Sequence, residues 1–240
     1  MDVVGELSGS LIILVVFMFF TKNQEIIKDI FLFTIIPGLI ATMIAAILVK
    51  DAPSKTKNTN IIINHSDLKL LPLLFIYFGF VFFIMSEQFL ILRAKDFGYT
   101  LAIIPLFVIL FNLIQVTTSY YGGILIDKIG IFKSLGIAFS FGILSIFSIK
   151  INLWLSFLFL GLFTVLSLNS MRTVISKNAT SKGFIYGIFY GGIAIFSSLG
   201  ALTIGFIWKN YGFVTVLRFS EIGMISIFIL LILFSFTKKE

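Results

Sequence analysis

Long apolar runs alternate along the chain with short polar interruptions, and nothing in the runs repeats with a two-residue period. Eight runs can be marked, at about 3–21, 30–49, 70–92, 101–121, 132–149, 153–170, 184–208 and 212–236. A helix rising about 1.5 Å per residue needs roughly 20 apolar residues to cross a hydrocarbon core of about 30 Å, and the runs have that length. Barrel strands are about ten residues long with alternating polarity, which a run such as Ile30 to Val49 does not show. Lipid offers no water to N–H and C=O groups, so each run must satisfy its backbone internally as a helix. The pattern predicts an all-α membrane protein with about eight transmembrane helices and the lipid bilayer as its first partner.

Composition removes the soluble alternative. Hydrophobic residues make up 59% of the 240 and charged residues 12%, against roughly 25% charged in a soluble domain. There are no cysteines and a single histidine, His65, which excludes disulfides, thiolate metal sites and a histidine cluster. No HExxH, CxxC, phosphate-binding glycine loop or serine triad is present, so neither an enzyme nor a cofactor or metal is expected. The net charge of +7 does not indicate nucleic acid, because the basic residues sit in small groups between apolar runs rather than in a stripe with interleaved aromatics. They follow membrane topology instead. With eight spans, 11 of the 18 Lys and Arg fall on the side that holds Lys57, Lys133, Lys177 and the C-terminus, which makes that side cytoplasmic.

The polar stretch from Asp51 to Asp67, rich in Asn, Lys and Thr, is longer than the other connections. It divides the chain into residues 1–50 with two spans, a cytoplasmic loop at 51–67, and residues 68–240 with six. The chain opens acidic, Met1-Asp2-Val3-Val4-Gly5-Glu6, and enters a span without the positive charge that normally precedes one.

Polar residues within the spans are the candidates for chemistry, because a charge in hydrocarbon usually faces a cavity or a partner. Asp2 and Glu6 are one turn apart, on one helix face or at a frayed end. Glu87 is either a cavity carboxylate or an interfacial one paired with Arg93 or Lys95. Asn112 and Gln115 share a face near the middle of the fourth span, lining a cavity or bonding between helices. Glu221, about nine residues past Gly212, needs a proton or a partner such as Arg218. Between the fourth and fifth spans the chain reads Gly123-Ile124-Leu125-Ile126-Asp127-Lys128-Ile129-Gly130. Glycines there suit a tight two-helix turn. Asp127 either caps a helix start or meets the positive N-terminal end of a neighbouring helix, a contact worth about 0.3–2 kcal/mol.

That stretch resembles the cytoplasmic-loop signature of the major facilitator superfamily, Gly-x-Leu-Ala-Asp-Arg-x-Gly-Arg-Lys. Gly123, Leu125, Asp127, Lys128 and Gly130 match, while Ile126, Ile131 and Phe132 depart from it. Ser86 to Ala94 with Gly98, Pro105-Leu106 and Phe111-Asn112-Leu113 resembles the seventh and eighth helices of that superfamily. Arg172-Thr173-Val174, Gly187, Tyr190 and Gly205 to Trp208 resembles the tenth and eleventh, and Pro37-Gly38-Leu39 the sixth. The opening resembles the start of the fifth helix. The resemblance implies a partial helical bundle corresponding to helices five to twelve, with the first four supplied by a separate chain or lost. It further implies a secondary transporter of a small solute in a bacterial inner membrane, working by alternating access with a proton or sodium as coupling ion. Gly123, Asp127, Lys128 and Gly130 would form its conformational gate, with Asp127 against the first turn of residues 1–6. A remnant of a split transporter gene and a non-transporting membrane assembly protein are the alternatives.

Overall fold

The computed structural model describes Gly9 and residues 35–48, 64–100 and 103–237. The expected first span, with Asp2 and Glu6, lies outside the described residues except for Gly9, as does most of the 51–67 loop. The described helices are α1 (Ile35–Leu48), α2 (His65–Leu68), α3 (Leu71–Phe83), α4 (Glu87–Asp96), α5 (Ile104–Ile129), α6 (Ile131–Ser148), α7 (Leu153–Asn178), α8 (Lys182–Tyr211) and α9 (Phe213–Thr237). No strand occurs among the described residues. Among the described residues six stretches are long and apolar enough to cross a membrane: α3 with α4, then α5, α6, α7, α8 and α9.

The helix ends follow from local chemistry. Pro72 and Pro105 sit in the first turns of α3 and α5, where a missing N–H costs nothing. The Asn152 side chain accepts the Trp154 N–H at 2.8 Å and caps α7. Gly130 (φ 85°) and Gly212 (φ 81°) each close one helix and open the next, so α5–α6 and α8–α9 turn through a single residue. The run expected at 70–92 is not one continuous helix. The chain extends at Ile84 (ψ 137°) and Ser86 (ψ 165°), which separates α3 from α4.

The spans interlock rather than pack in chain order. The α7 helix lies against α5 and α6, α3 lies against α8 and α9, and α6 meets α9 to join the two groups. Neighbouring spans run antiparallel, so Asp96, Lys150 and Phe213 mark one rim of the bundle, and Asp67, Asp127 and Thr180 the other.

Aromatic rings and serines fill the interior. Phe80 stacks on Phe139 at 3.9 Å between centroids and lies 5.1 Å from Phe163. The antiparallel α6 and α7 are laced by buried hydroxyls. Ser145 Oγ donates to the Ser156 carbonyl at 3.0 Å, Ser156 Oγ donates to the Ser145 carbonyl at 2.8 Å, and Ser170 Oγ donates to Ser134 Oγ at 3.1 Å. Hydroxyl groups substitute for the hydrophobic effect here, because lipid tails are as apolar as the helices they surround. At Gly200 the backbones of α8 and α3 meet so closely that a methyl group would collide with the Phe82 carbonyl. By contrast the described side chains of α1, among them Leu39, Met43 and Ile47, are exposed.

Candidate functional site

The break between α3 and α4 opens a cavity of about 670 Å³ inside the bundle. Its described walls come from Gly9, the end of α3, the break itself and α4, α5, α7 and α8. Glu87 and Gln88 reach it from the first turn of α4, Asn112 and Gln115 from α5, Thr164 from α7 and Ser197 from α8. Rings of Phe89, Phe111 and Phe163 complete the wall. Asn112 lies eight residues from the start of α5 and Glu87 nine from the end of α4. At about 1.5 Å per residue both lie roughly 12–14 Å along their helices from the rim that Asp96 and Lys150 mark.

Three of the residues singled out in the sequence, Glu87, Asn112 and Gln115, therefore share one cavity although 28 positions separate the first from the last. A first-turn carboxylate interacts favourably with the partial positive charge of its own helix N-terminus, which suits Glu87. Arg93, considered as its partner, also packs at the rim. Its guanidinium lies 4.4 Å from the Phe97 ring centre and 4.1 Å from that of Phe213, and Nη1 reaches Asp96 at 3.4 Å. This packing fastens α4 to the start of α9 at the rim.

Glu221 is placed outside the cavity. Its Oε1 accepts from Lys150 Nζ at 2.6 Å, so the partner is not Arg218 on the same helix but a lysine 71 residues earlier, at the α6–α7 turn. Glu221 is 14% exposed and Lys150 50% exposed, a half-sheltered pair at the membrane rim. It holds α9 to the α6–α7 turn.

The Gly123–Gly130 motif is not a loop. Gly123, Asp127 and Lys128 belong to the last two turns of α5, and only Gly130 forms the turn, because its positive φ reverses the chain in one step. No side chain caps the start of α6. Asp127 Oδ1 lies 3.5 Å from Lys177 Nζ near the end of α7, with both side chains largely exposed. Whether Asp127 also meets residues 1–6 lies outside the described residues.

One site of order escaped the sequence reading. The carboxylate of Asp67 is fully buried, accepting the Thr180 N–H at 2.8 Å and the Asn64 N–H at 3.3 Å. At the same rim Arg172 Nε donates to Tyr190 Oη at 2.8 Å, and Tyr186 Oη donates to the Arg172 carbonyl at 3.0 Å. The cavity residues Gln88, Thr164 and Ser197 were also missed. Their only signal is a polar side chain on the inward face of an otherwise apolar span. Among the described residues no group of His, Cys, Asp and Glu could hold a metal.

Six apolar helices of membrane-spanning length among the described residues, packed around an open cavity, define a polytopic membrane protein. The chain is similar to a protein of Methanocaldococcus jannaschii described as an uncharacterized MFS-type transporter, at 30% identity over 96% of this chain. The chain spans 61% of that protein's length. No family profile matches the chain, and no solved structure matches it.

Proposed function

We propose that the chain carries the solute site of a secondary transporter of the major facilitator type, working by alternating access. The observation that carries this reading is the cavity: Glu87, Asn112 and Gln115 line one open space of about 670 Å³ between the helices. That volume suits a small solute, since ligand sites commonly measure about 300–1,000 Å³. A midplane site beside a discontinuous helix is the arrangement on which alternating access operates. The homologous transporter in Methanocaldococcus jannaschii supports the same reading. On this reading residues 68–240 of the present chain form one six-helix half, residues 1–50 belong to the other, and 51–67 joins them on the cytoplasmic side. Glu87 is the candidate to couple a proton or sodium ion to solute movement, and Asp127 with Lys128 the candidate gate at the opposite rim. Reconstitution of the full chain into proteoliposomes tests this. Saturable, gradient-dependent accumulation of a solute, abolished by Asn112→Leu, is the expected result. Accumulation unaffected by changes to Asn112, Gln115 and Glu87 together would contradict it.

A further inference from the structure

Arg93 and Arg172 are held in opposite ways. The Arg93 guanidinium packs against the Phe97 and Phe213 rings, with Asp96 3.4 Å from Nη1, so its charge is answered within the chain. Arg172 is exposed, and among the described residues no Asp or Glu lies within ion-pair distance of it. Its Nε donates to Tyr190 Oη at 2.8 Å, and among the described residues nothing accepts from Nη1 or Nη2. We propose that Arg172 and Tyr190 form a binding site for a phosphate group, carried either by a free solute or by a lipid headgroup. The site is separate from the cavity and does not depend on the transporter reading.

Alignment distinguishes this arginine from one that merely snorkels toward the headgroups with a free end. Its side chain is fixed through Nε, and its carbonyl accepts from Tyr186 Oη at 3.0 Å. The Tyr186 ring is in turn stacked 6.2 Å from that of Tyr190. The bond at Nε leaves both Nη groups as a planar fork of donors. The Tyr190 hydroxyl accepts from Nε and keeps its own proton to give. A carboxylate offers two oxygens, whereas a phosphate offers three, enough for both Nη groups and the hydroxyl together. A neutral solute would leave the guanidinium charge unanswered, and a cation would be repelled by it. Tyr190 lies on the α8 face that carries the cavity residue Ser197, and Arg172 continues the α7 row of Thr164 and Leu168. The pair therefore stands about 10 Å along α8 from Ser197, toward the rim that Thr180 marks.

The test uses the full chain purified in phosphate-free detergent at about 0.15 M salt, where exposed charges are largely screened. Radiolabelled inorganic phosphate is offered in equilibrium dialysis, and retention of dioleoylphosphatidylglycerol is counted by native mass spectrometry. Saturable binding of at least one is expected, with benzoate a weak competitor. Binding of inorganic phosphate would assign the site to a free solute. Retention of phosphatidylglycerol alone would assign it to a headgroup. Arg172→Gln should weaken the binding roughly tenfold or more, and Arg172→Lys, which keeps the charge without the fork, should weaken it less. Arg218→Gln, which removes the same charge from an exposed arginine of α9, should leave it unchanged. If Arg172→Gln does not survive purification, Tyr190→Phe keeps the ring, removes the hydroxyl and should still lower the affinity. Binding of neither probe, benzoate binding as tight as that of phosphate, or equal losses in Arg172→Gln and Arg218→Gln would overturn the proposal. Unchanged affinity in Tyr190→Phe would overturn it as well.

Discussion

The carboxylate of Asp67 accepts the backbone N–H of Thr180 at 2.8 Å, tying two points 113 residues apart. Thr180 lies just before α8, whose N-cap Ser181 makes no side-chain cap hydrogen bond of its own. Asp67 thus serves in trans as the negative group that a helix N-terminus favours. Through its second oxygen it also fixes Asn64, at the point where the polar 51–67 segment meets the bundle.

Removing this carboxylate should destabilise the bundle. A buried group whose hydrogen-bond partners are left unsatisfied costs about 1–3 kcal/mol. Asp67→Ala should lower the thermal unfolding midpoint in detergent, and Asp67→Asn should lower it less, since one amide oxygen still accepts. Equal midpoints for Asp67→Ala and the unaltered chain would show that the link carries no stability.

Glycine substitutions in α8 should separate sharply by position. At Gly200 a methyl group meets the Phe82 carbonyl, and backbone cannot swing aside as a side chain can. At Gly187 the same methyl group meets open space. Gly200→Ala should therefore reduce folded yield and melting temperature by fluorescence-detected size exclusion, while Gly187→Ala leaves both near normal. A comparable loss at both positions would contradict the close α3–α8 contact.

The serine pair between α6 and α7 should contribute modestly. Interhelical hydrogen bonds in membranes average about 0.6 kcal/mol. Ser145→Ala and Ser156→Ala should each lower the unfolding free energy by about that amount, and roughly additively, because each hydroxyl donates to a backbone carbonyl that the other substitution leaves in place. Single variants as stable as the unaltered chain would mean that close packing alone holds these helices.

The Lys150–Glu221 pair should behave as a rim fastener. Removing one partner of a sheltered pair leaves the other uncompensated, so each single change should cost more than the pair together. Glu221→Gln and Lys150→Met should each lower the unfolding midpoint, and the double variant should recover part of the loss. An additive double variant would show that the two charges do not interact.

The spans were legible because uninterrupted apolar runs of membrane length admit one backbone solution. Their ends were less so. The run expected to stop near residue 121 continues as helix through Gly122 and Gly123 to Ile129 and turns only at Gly130. Conversely the break at Ile84–Ser86 carries neither Gly nor Pro, and Pro72, the nearest proline, lies in the first turn of α3. Glu87, Asn112 and Gln115 stood out as polar residues in apolar runs, but their convergence needed the fold. The partner of Glu221 lay 71 residues away, beyond any helical spacing. Asp67 was hidden by its setting, since an aspartate at the end of a polar loop reads as solvated.

Sidedness rests on the distribution of Lys and Arg. Lys57→Cys should resist an impermeant thiol reagent added outside intact cells, and Lys209→Cys should react. The reverse pattern would invert the topology.

Alternating access to the cavity can be read directly, because the chain contains no cysteine and any introduced thiol is unique. Thr164→Cys and Ser197→Cys place a thiol in the cavity wall, and Ile137→Cys places one on an exposed apolar position of α6. An impermeant thiol reagent is applied from either side of right-side-out and inside-out vesicles holding the full chain. The account predicts that both cavity thiols are modified from each side in turn, while the thiol at 137 is modified from neither. Cavity thiols that stay unmodified from both sides, or that react from one side only under every condition, would contradict it.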